Sequence, residues 1–428
     1  MSKLITLDNG VKIRVVPVAG TTAATVLILF KIGSRNEEKK VWGGSHFIEH
    51  LMFKGTKRRP TTLDISKELD RFGAEYNAYT GKDLTGYYIK VDSSKLTTAL
   101  DLLEDMLFHS KFAPAEMVKE KRVIVEEIKM YEENPIMHLE DLAEEAVFEG
   151  YILGRNIAGT AKSVLTMKRS DVLAYRDSFY RADNLLITVA GNFPATTVDQ
   201  IKKLFSKLPK AKIAIPKPEL VHWEKLQGGA VRVQNKPVEQ IQLAAIWPMF
   251  GKSHPDYFAA VLLAKILGGT MSSKLFVEVR EKRGLCYTIR ASVEGYEEAG
   301  AFMIRAGLDA ARLKLAAQVI EKVVVQVAKG GITPAELKLA KDNIKGGLKL
   351  HLEDSSAMAE FYGRQELLYS QALTPDEFLA RFDAVSLAQI KKVAALILRA
   401  DKRSLAAIGP YANAGALLKE VVSTKTKV

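Results

Sequence analysis

The chain has 428 residues, of which 47% are hydrophobic and 26% are charged, the proportions of a globular protein with large cores. This composition excludes a disordered chain, a collagen-like repeat and a small disulfide scaffold, and the length predicts two domains. The formal charge of +12 indicates a basic surface that keeps the protein soluble. No cluster of basic and aromatic residues predicts nucleic-acid binding. Because Cys286 is the single cysteine, an internal disulfide and a cysteine-based metal site are both excluded.

The N-terminal segment alternates in polarity around Asp8-Asn9-Gly10, which predicts a β-hairpin. It contains no apolar run of signal-peptide length, and no stretch of the chain approaches the roughly 18 apolar residues of a membrane span. We therefore expect a soluble, cytoplasmic protein with no membrane association.

The first half of the chain then alternates between strand-like and helix-like segments. Strands are predicted where apolar residues run continuously or alternate, and helices where they recur at helical spacing. The predicted strands are Ala23–Lys31, Tyr76–Tyr79, Tyr87–Val91 and Leu185–Ala190, and the predicted helices are Gly43–Phe53, Thr62–Phe72, Ser94–Phe108 and Pro114–Met130.

A proline- and lysine-rich segment, Leu208–Pro218, separates two pieces of nearly equal length. Prolines at this density prevent helix and interior strand, so the segment predicts an interdomain linker. We expect a first domain at residues 1–208, a linker at 209–222 and a second domain at 223–428.

The two halves share a repeat. Pro114-Ala115-Glu116 opens a predicted helix in the first half, and Pro334-Ala335-Glu336 does so in the second. Gly55-Thr56 closes an earlier helix, and Gly269-Thr270 closes its counterpart after Phe258–Leu267. The shared order predicts a duplicated α+β fold, with two homologous domains that each pack a mostly antiparallel sheet against helices.

The sharpest local signal is His46-Phe47-Ile48-Glu49-His50, an H-x-x-E-H segment. On a helix, His46 and His50 lie one turn apart on the same face, where two imidazoles can bind one zinc ion. Glu49 lies beside them, close enough to take a proton from a metal-bound water. Surface histidines also occur in such pairs, but burying three uncompensated polar groups in an apolar helix would be costly, and a metal removes that cost.

Catalytic zinc needs a third protein ligand and an open position for water. The Pro114 helix offers four carboxylates, at Glu116, Glu120, Glu126 and Glu127, and spacing alone does not choose among them. Glu120 and Glu127 lie two turns apart on one face, so one could bind the metal while the other supports a ligand. For Glu116 and Glu126 a solvated helix face is the preferred interpretation.

The repeat places apolar or small residues opposite every proposed polar group. Alignment on the two Gly-Thr pairs and the two Pro-Ala-Glu sequences sets His46, Glu49, His50, Glu120 and Glu127 against Ala260, Leu263, Ala264, Ala340 and Gly347. One half is therefore predicted to hold the metal, and the other to have a different role.

Taken together, these residues resemble the insulinase/pitrilysin family of inverzincin zinc metallopeptidases, in the short form of its processing-peptidase-like bacterial members. The resemblance covers essentially the whole chain. The matching segments are Gly43-Gly44-Ser45, Phe53-Lys54-Gly55-Thr56, Asn77-Ala78-Tyr79-Thr80, the Glu120/Glu127 pair, Gly154-Arg155 with Gly159-Thr160, Phe179-Tyr180 with Asn184, and Arg280-Glu281-Lys282-Arg283-Gly284-Leu285-Cys286-Tyr287.

The resemblance implies a role for each matching residue. It implies one zinc ion per chain, with His46, His50 and Glu127 as ligands and Glu120 as the carboxylate that supports a ligand. Glu49 would be the general base, and Asn77 and Ala78 would pair with the substrate backbone. Arg280 and Tyr287 would hold substrate and stabilise the oxyanion.

The resemblance also implies an activity and partners. The implied enzyme is a zinc endopeptidase that hydrolyses extended or unfolded peptides inside a clamshell chamber. Because the chain contains one two-domain unit, a homodimer would complete that chamber, or a heterodimer with a zinc-less homologue. The alternative is a non-catalytic scaffold, like the core subunits of respiratory complexes, which commonly lack the metal motif that this chain retains.

Overall fold

The computed structural model describes residues 2–210 and 214–421, and its contacts divide the chain into two compact units. Both units are discontinuous in sequence. The first comprises Met1–Lys129, Asn156–Glu219 and Gly347–Pro375, and the second comprises Met130–Arg155, Leu220–Gly346 and Asp376–Val428.

Strands and helices alternate along the chain as the sequence predicts. The strands are β1 (Lys3–Thr6), β2 (Lys12–Pro17), β3 (Ala23–Phe30), β4 (Glu75–Thr80), β5 (Thr85–Asp92), β6 (Leu185–Gly191), β7 (Val231–Asn235), β8 (Gln240–Phe250), β9 (Cys286–Gly295), β10 (Ala299–Asp309) and β11 (Ser404–Gly409). The helices of the first half are α1 (Gly44–Met52), α2 (Thr62–Asp70), α3 (Leu96–His109), α4 (Pro114–Glu133), α5 (Pro135–Val147), α6 (Ala161–Thr166), α7 (Arg169–Phe179) and α8 (Thr197–Phe205). Those of the second half are α9 (Tyr257–Gly268), α10 (Leu313–Ala328), α11 (Pro334–His351), α12 (Ser355–Tyr369), α13 (Pro375–Asp383), α14 (Leu387–Ile397) and α15 (Ala414–Val421).

Each unit contains one mostly antiparallel sheet. The first sheet has the strand order β1-β2-β6-β3-β5-β4, and only the β2–β6 pair is parallel. The second has the order β7-β11-β8-β10-β9, and only the β7–β11 pair is parallel. From β2 onward the first order matches the second strand for strand, which confirms the duplicated α+β fold.

In the first unit, helices cover both faces of the sheet. Ala24, Val26 and Ile28 of β3 lie in the core that includes α1 and α3, whereas Leu27 and Leu29 pack against α12. Since both faces of β3 are buried, its sequence is a continuous apolar run rather than an alternating one.

The helix that follows the long Pro-Ala-Glu helix crosses to the other unit in both copies of the repeat. Helix α5 comes from the first half of the sequence but packs on β8 and β11, and α12 comes from the second half but packs on β3 and β6. The compact units therefore do not coincide with contiguous domains at 1–208 and 223–428. Residues 214–218 of the predicted linker form neither helix nor strand, and residues 211–213 lie outside the described part.

No helix among the described residues is both long enough and apolar enough to cross a membrane.

Candidate metal centre

Helix α1 carries the three polar side chains of the H-x-x-E-H segment, and contacts along its apolar face and at its N-terminus hold the helix in place. Its apolar face is buried in the core of the first unit through Phe47, Ile48, Leu51 and Met52. At its N-terminus, the buried carboxylate of Glu37 accepts hydrogen bonds from the backbone N–H groups of Gly43 (2.7 Å) and Ser45 (2.8 Å). These donors lack partners within the helix, and the Glu37 oxygens supply the acceptors that they need.

Gly43 precedes α1 with φ at 89°. A Cβ atom at this position would lie 2.5 Å from the Ala158 carbonyl oxygen. Glycine is therefore required both by the backbone angle and by the close approach.

The imidazoles of α1 face a carboxylate on α4. The Nε2 atoms of His46 and His50 lie 3.2 Å apart. Glu127 places one carboxylate oxygen 3.7 Å from His46 Nε2 and the other 3.4 Å from His50 Nε2. The donor atoms of a tetrahedral zinc site lie roughly 3.3 Å apart, so these three residues have the spacing that one zinc ion needs.

The hydrogen bonds around His50 direct a lone pair into the cluster. Glu120, 4% exposed, accepts from His50 Nδ1 at 2.9 Å. Because an ionised carboxylate can only accept, Nδ1 carries the proton, and the Nε2 of a neutral His50 then presents its lone pair to His46 and Glu127. Two imidazole nitrogens and a carboxylate thus converge on one point, a donor set that suits zinc.

The charges in the cluster also favour a cation. Burial, followed by the charge of His50, lowers the pKa of His46 to about 4. Burial opposes protonation of His50, but the hydrogen bonds that it donates to Glu120 and Glu127 outweigh this effect and raise its pKa to about 9. The two carboxylates that hold a proton on His50 would also attract a metal ion, whose binding requires release of that proton.

The two other candidate carboxylates, Glu116 and Glu126, are paired outside the cluster. Glu116 pairs with Lys119, and Glu126, 72% exposed, pairs with Lys129. The described residues that bring three potential ligand atoms within 4.8 Å of one another are His46, His50 and Glu127. Geometry therefore selects Glu127, the residue that the family resemblance also indicates, although its role as a metal ligand stays a prediction.

Glu49 is a largely buried carboxylate beside this cluster. Burial raises its pKa, and a hydrogen bond donated by the Thr80 hydroxyl acts in the opposite direction. That hydroxyl also fixes the orientation of the carboxylate. A carboxylate with a raised pKa is a stronger base, the property that a catalytic proton acceptor requires.

The predicted substrate-binding residues lie on a free sheet edge. Among the strands of the described residues, β4 is terminal in its sheet and pairs with β5 alone. Asn77 is exposed, Ala78 is buried, and the Ala78 N–H donates to the side-chain oxygen of Asn77 at 2.9 Å. An unpaired edge can accept another strand, while the part of these residues in substrate binding stays a prediction.

Arg280 and Tyr287 lie together in the second unit. The Arg280 guanidinium is 5.1 Å from the centre of the Tyr287 ring and 4.7 Å from that of Phe276. Tyr287 is 69% exposed, and no carboxylate in the described part of the chain pairs with Arg280. Both are therefore available to a ligand, and neither is the salt-bridged arginine or core tyrosine of a purely structural pair.

Sequence reasoning missed three supporting residues, Glu37, Lys54 and Thr80. The Lys54 ammonium lies 2.7 Å from the Glu120 carboxylate. Lys54 therefore holds Glu120 in place, and Glu120 in turn fixes the orientation of the His50 ring. Lys54 and Thr80 both belong to segments that carry the family resemblance, and that signal was therefore present. Glu37 precedes the motif by nine positions and had no such signal.

Known proteins that are similar to this chain show which family it belongs to. The family model of the insulinase family, peptidase family M16, matches residues 15–161, and that of the M16 inactive domain matches residues 166–344. The chain is 34% identical over 96% of its length to "Uncharacterized zinc protease YmxG" of Bacillus subtilis, 99% of which is covered. The chain belongs to the insulinase family, peptidase family M16.

Two further proteins match over a similar share of this chain. A probable mitochondrial-processing peptidase subunit beta of Arabidopsis thaliana is 30% identical over 96% of this chain and 78% of its own. The crystal structure of a protease from Helicobacter pylori superposes with a TM-score of 0.88 at 26% identity, covering 96% of this chain and 99% of that one. These matches confirm the family and fold predicted from the sequence, and they support a peptidase of the zinc-dependent kind.

Proposed function

We propose that this chain is a zinc endopeptidase that hydrolyses extended or unfolded peptides. The observation that carries the proposal is the convergence of His46, His50 and Glu127 on one point, with the partly buried carboxylate of Glu49 on the same helix. A bound zinc ion would supply a Lewis acid that polarises the scissile carbonyl and lowers the pKa of water.

Glu49 is the proton carrier in this proposal. Its carboxylate accepts a proton from the attacking water and later delivers it to the leaving amine. Burial makes the Glu49 carboxylate more basic, and the hydrogen bond from the Thr80 hydroxyl holds its orientation. Both effects prepare Glu49 to accept the proton of the attacking water. Glu120 and Lys54 act through His50, whose ring they hold in one orientation.

The free edge of β4 supports binding of an extended peptide. Such a peptide would pair with Asn77 and Ala78 as an added strand, a mode in which main-chain hydrogen bonds provide much of the affinity. The Asn77 side chain must first release the Ala78 N–H. Folded proteins, whose backbone is already paired, would be poor substrates.

A second subunit completes the site in this proposal. Arg280 and Tyr287 would reach the zinc half of a partner chain in a homodimer, hold substrate and stabilise the oxyanion. The name of the Arabidopsis relative denotes one subunit of a larger peptidase, which supports a heterodimer as the second candidate assembly. The enclosed chamber and the cytoplasmic location belong to the same proposal.

A non-catalytic scaffold is the competing function. One family model carries the description "inactive domain", but it matches residues 166–344, which contain none of the metal-cluster residues. Residues 15–161, which contain all of them, match the other model.

Cleavage of a quenched fluorescent peptide library tests the proposal. The zinc-loaded chain should cleave extended peptides, a zinc chelator should abolish cleavage, and added zinc should restore it. Cleavage that persists in the zinc-free chain would contradict the mechanism, and a zinc-loaded chain that cleaves nothing would favour the scaffold.

A further inference from the structure

A cavity of about 570 Å³ lies on the face of the first sheet that α12 covers. Asn77 and Tyr79 of β4 line one side, and Asp354, Glu360 and Arg364 of α12 and its N-terminal turn line the other. Ala78 points to the opposite face, into the core that contains α1. The cavity therefore flanks the free sheet edge without being part of the metal cluster.

We propose that this cavity binds an acidic side chain of the peptide substrate and that Arg364 recognises its carboxylate. The proposal rests on the function proposed above, since it concerns the peptide that would lie along β4.

The acidic groups of the cavity are already satisfied. One oxygen of Asp354 caps α12 by accepting from the N–H groups of Ser356 and Ala357, and the other lies 2.6 Å from the Lys90 ammonium. A basic ligand would have to displace these donors, which makes the two carboxylates poor recognition groups for a cation.

Glu360 is committed in the same way. It accepts hydrogen bonds from the Tyr79 hydroxyl and from Nε of Arg364. Both of its oxygens are thus engaged within the cavity wall.

Arg364 is the charged group of the cavity that can still donate hydrogen bonds to a ligand. Its guanidinium lies 5.0 Å from the centre of the Tyr79 ring, which fixes the plane of the group. Among the described residues, Nε is the one donor directed at a carboxylate, and the side chain is 46% exposed. Arg364 also donates a hydrogen bond to the Tyr79 hydroxyl, and the N–H groups that remain on this fixed, exposed guanidinium match the two oxygens of a carboxylate.

Strand geometry indicates which substrate residue would reach Arg364. Side chains of an added strand alternate between the two sheet faces, so every second residue would point toward the cavity. Thr80, the neighbour of Tyr79, contacts Glu49. At roughly 3.3 Å per residue, the recognised side chain would lie within about three positions of the bond that is cut.

The test uses a series of quenched peptides with amidated C-termini that are uncharged apart from one glutamate, whose position differs from peptide to peptide. Each peptide is compared with one that has glutamine at that position. The wild-type chain should favour glutamate at one position by about tenfold in kcat/KM, the value of one charge-assisted hydrogen bond. Arg364→Gln should reduce that ratio to about one, and Arg364→Lys should keep part of it. Arg399→Gln is the matched control, since Arg399 is also exposed and paired with a single carboxylate, Asp401.

Binding of the same peptides to Glu49→Gln, measured by fluorescence anisotropy, separates this proposal from the function. If the zinc-loaded wild type cuts nothing, the proposed function is wrong, yet the binding preference still tests the cavity. A glutamate preference that survives in Arg364→Gln, or no preference for glutamate at any position, would overturn the proposal.

Discussion

Helices α1 and α9 occupy equivalent places in the repeat, yet their chemistry is opposite. Each follows the central strand of a sheet whose strands run in the same order. On α1 the aligned positions carry His46, Glu49 and His50, whereas α9 carries Ala260, Leu263 and Ala264, all buried. The second sheet needs no metal to stabilise this helix, so the polar face of α1 is not a requirement of the fold.

The helices α4 and α11 differ in the same sense. Glu120 and Glu127 of α4 stand where α11 has Ala340 and Gly347. All five polar groups are thus present in one copy and absent from the other. The repeat therefore supplies a scaffold, and side chains on two helix faces decide which copy can bind a metal.

Glu49→Gln should make the first copy as inactive as the second and has the largest expected effect. The amide keeps the shape and can still accept from Thr80, but it cannot take a proton from water. Hydrolysis should fall by roughly 10²–10⁴-fold or more, while zinc content and thermal stability stay unchanged. Glu126→Gln, which removes an exposed carboxylate on α4, is the control, and near-normal turnover by Glu49→Gln would remove Glu49 from the mechanism.

Tyr287→Phe tests whether the second copy contributes to catalysis. Loss of one oxyanion donor should lower kcat by about 10²–10³-fold. If Tyr287 acts across a homodimer, mixing this variant with Glu49→Gln and allowing subunit exchange should restore about a quarter of wild-type activity per chain, because half the dimers are mixed and each has one intact site of two. Proven exchange with no gain would show that Tyr287 does not act across the dimer.

Lys54→Met tests the support behind the metal cluster. Glu120 would keep its contact with His50 but lose its second partner, so its orientation would be less fixed. Zinc affinity, measured by competition with a chromophoric chelator, should fall about tenfold. Lys54→Arg should recover most of the loss, and the exposed neighbour Lys57→Met should show none; equal affinities for Lys54→Met and wild type would contradict a positioning role.

Glu37→Gln should have the smallest effect, visible as a pH dependence. Burial raises the pKa of Glu37 from 4.5 to about 8, against hydrogen bonds from Ser45 and Gly43. Between these values the folded chain holds a proton that the unfolded chain releases, so this group makes the free energy of unfolding fall as pH rises from about 4.5 to 8. Urea unfolding of the zinc-free protein should show a shallower decline for Glu37→Gln, and an unchanged one for the exposed Glu38→Gln; identical slopes for Glu37→Gln and wild type would contradict the shift.

Much of the fold was predictable because the elements are strongly patterned. The buried strand expected at Ala23–Lys31 is β3, which ends one residue earlier, and the helix expected at Gly43–Phe53 is α1, shorter by one residue at each end. The repeat predicted a duplicated fold from two short matches. The crossing of α5 and α12 was not predictable, because an apolar helix face fits either of two equivalent sheets and the chain order does not choose between them.

The candidate site was predictable where chemistry needs a fixed spacing. Two histidines one turn apart define the helical half of the cluster, but the residues alone left four carboxylates open on α4. Choosing Glu127 required either the family resemblance or the fold. Contacts such as those of Thr80 with Glu49 and Lys54 with Glu120 join residues 31 and 66 positions apart, and spacing carries no information about them.

The decisive measurement for the metal site is zinc content, determined by elemental analysis on the wild type and on His50→Ala. We expect one zinc ion per wild-type chain and a large loss in His50→Ala, because His46 and Glu127 alone cannot hold the ion well. The repeat offers a matched control in Ala264→Ser, at the aligned position of the other copy, which should keep full zinc. Full zinc occupancy in His50→Ala, or none in the wild type, would contradict the account.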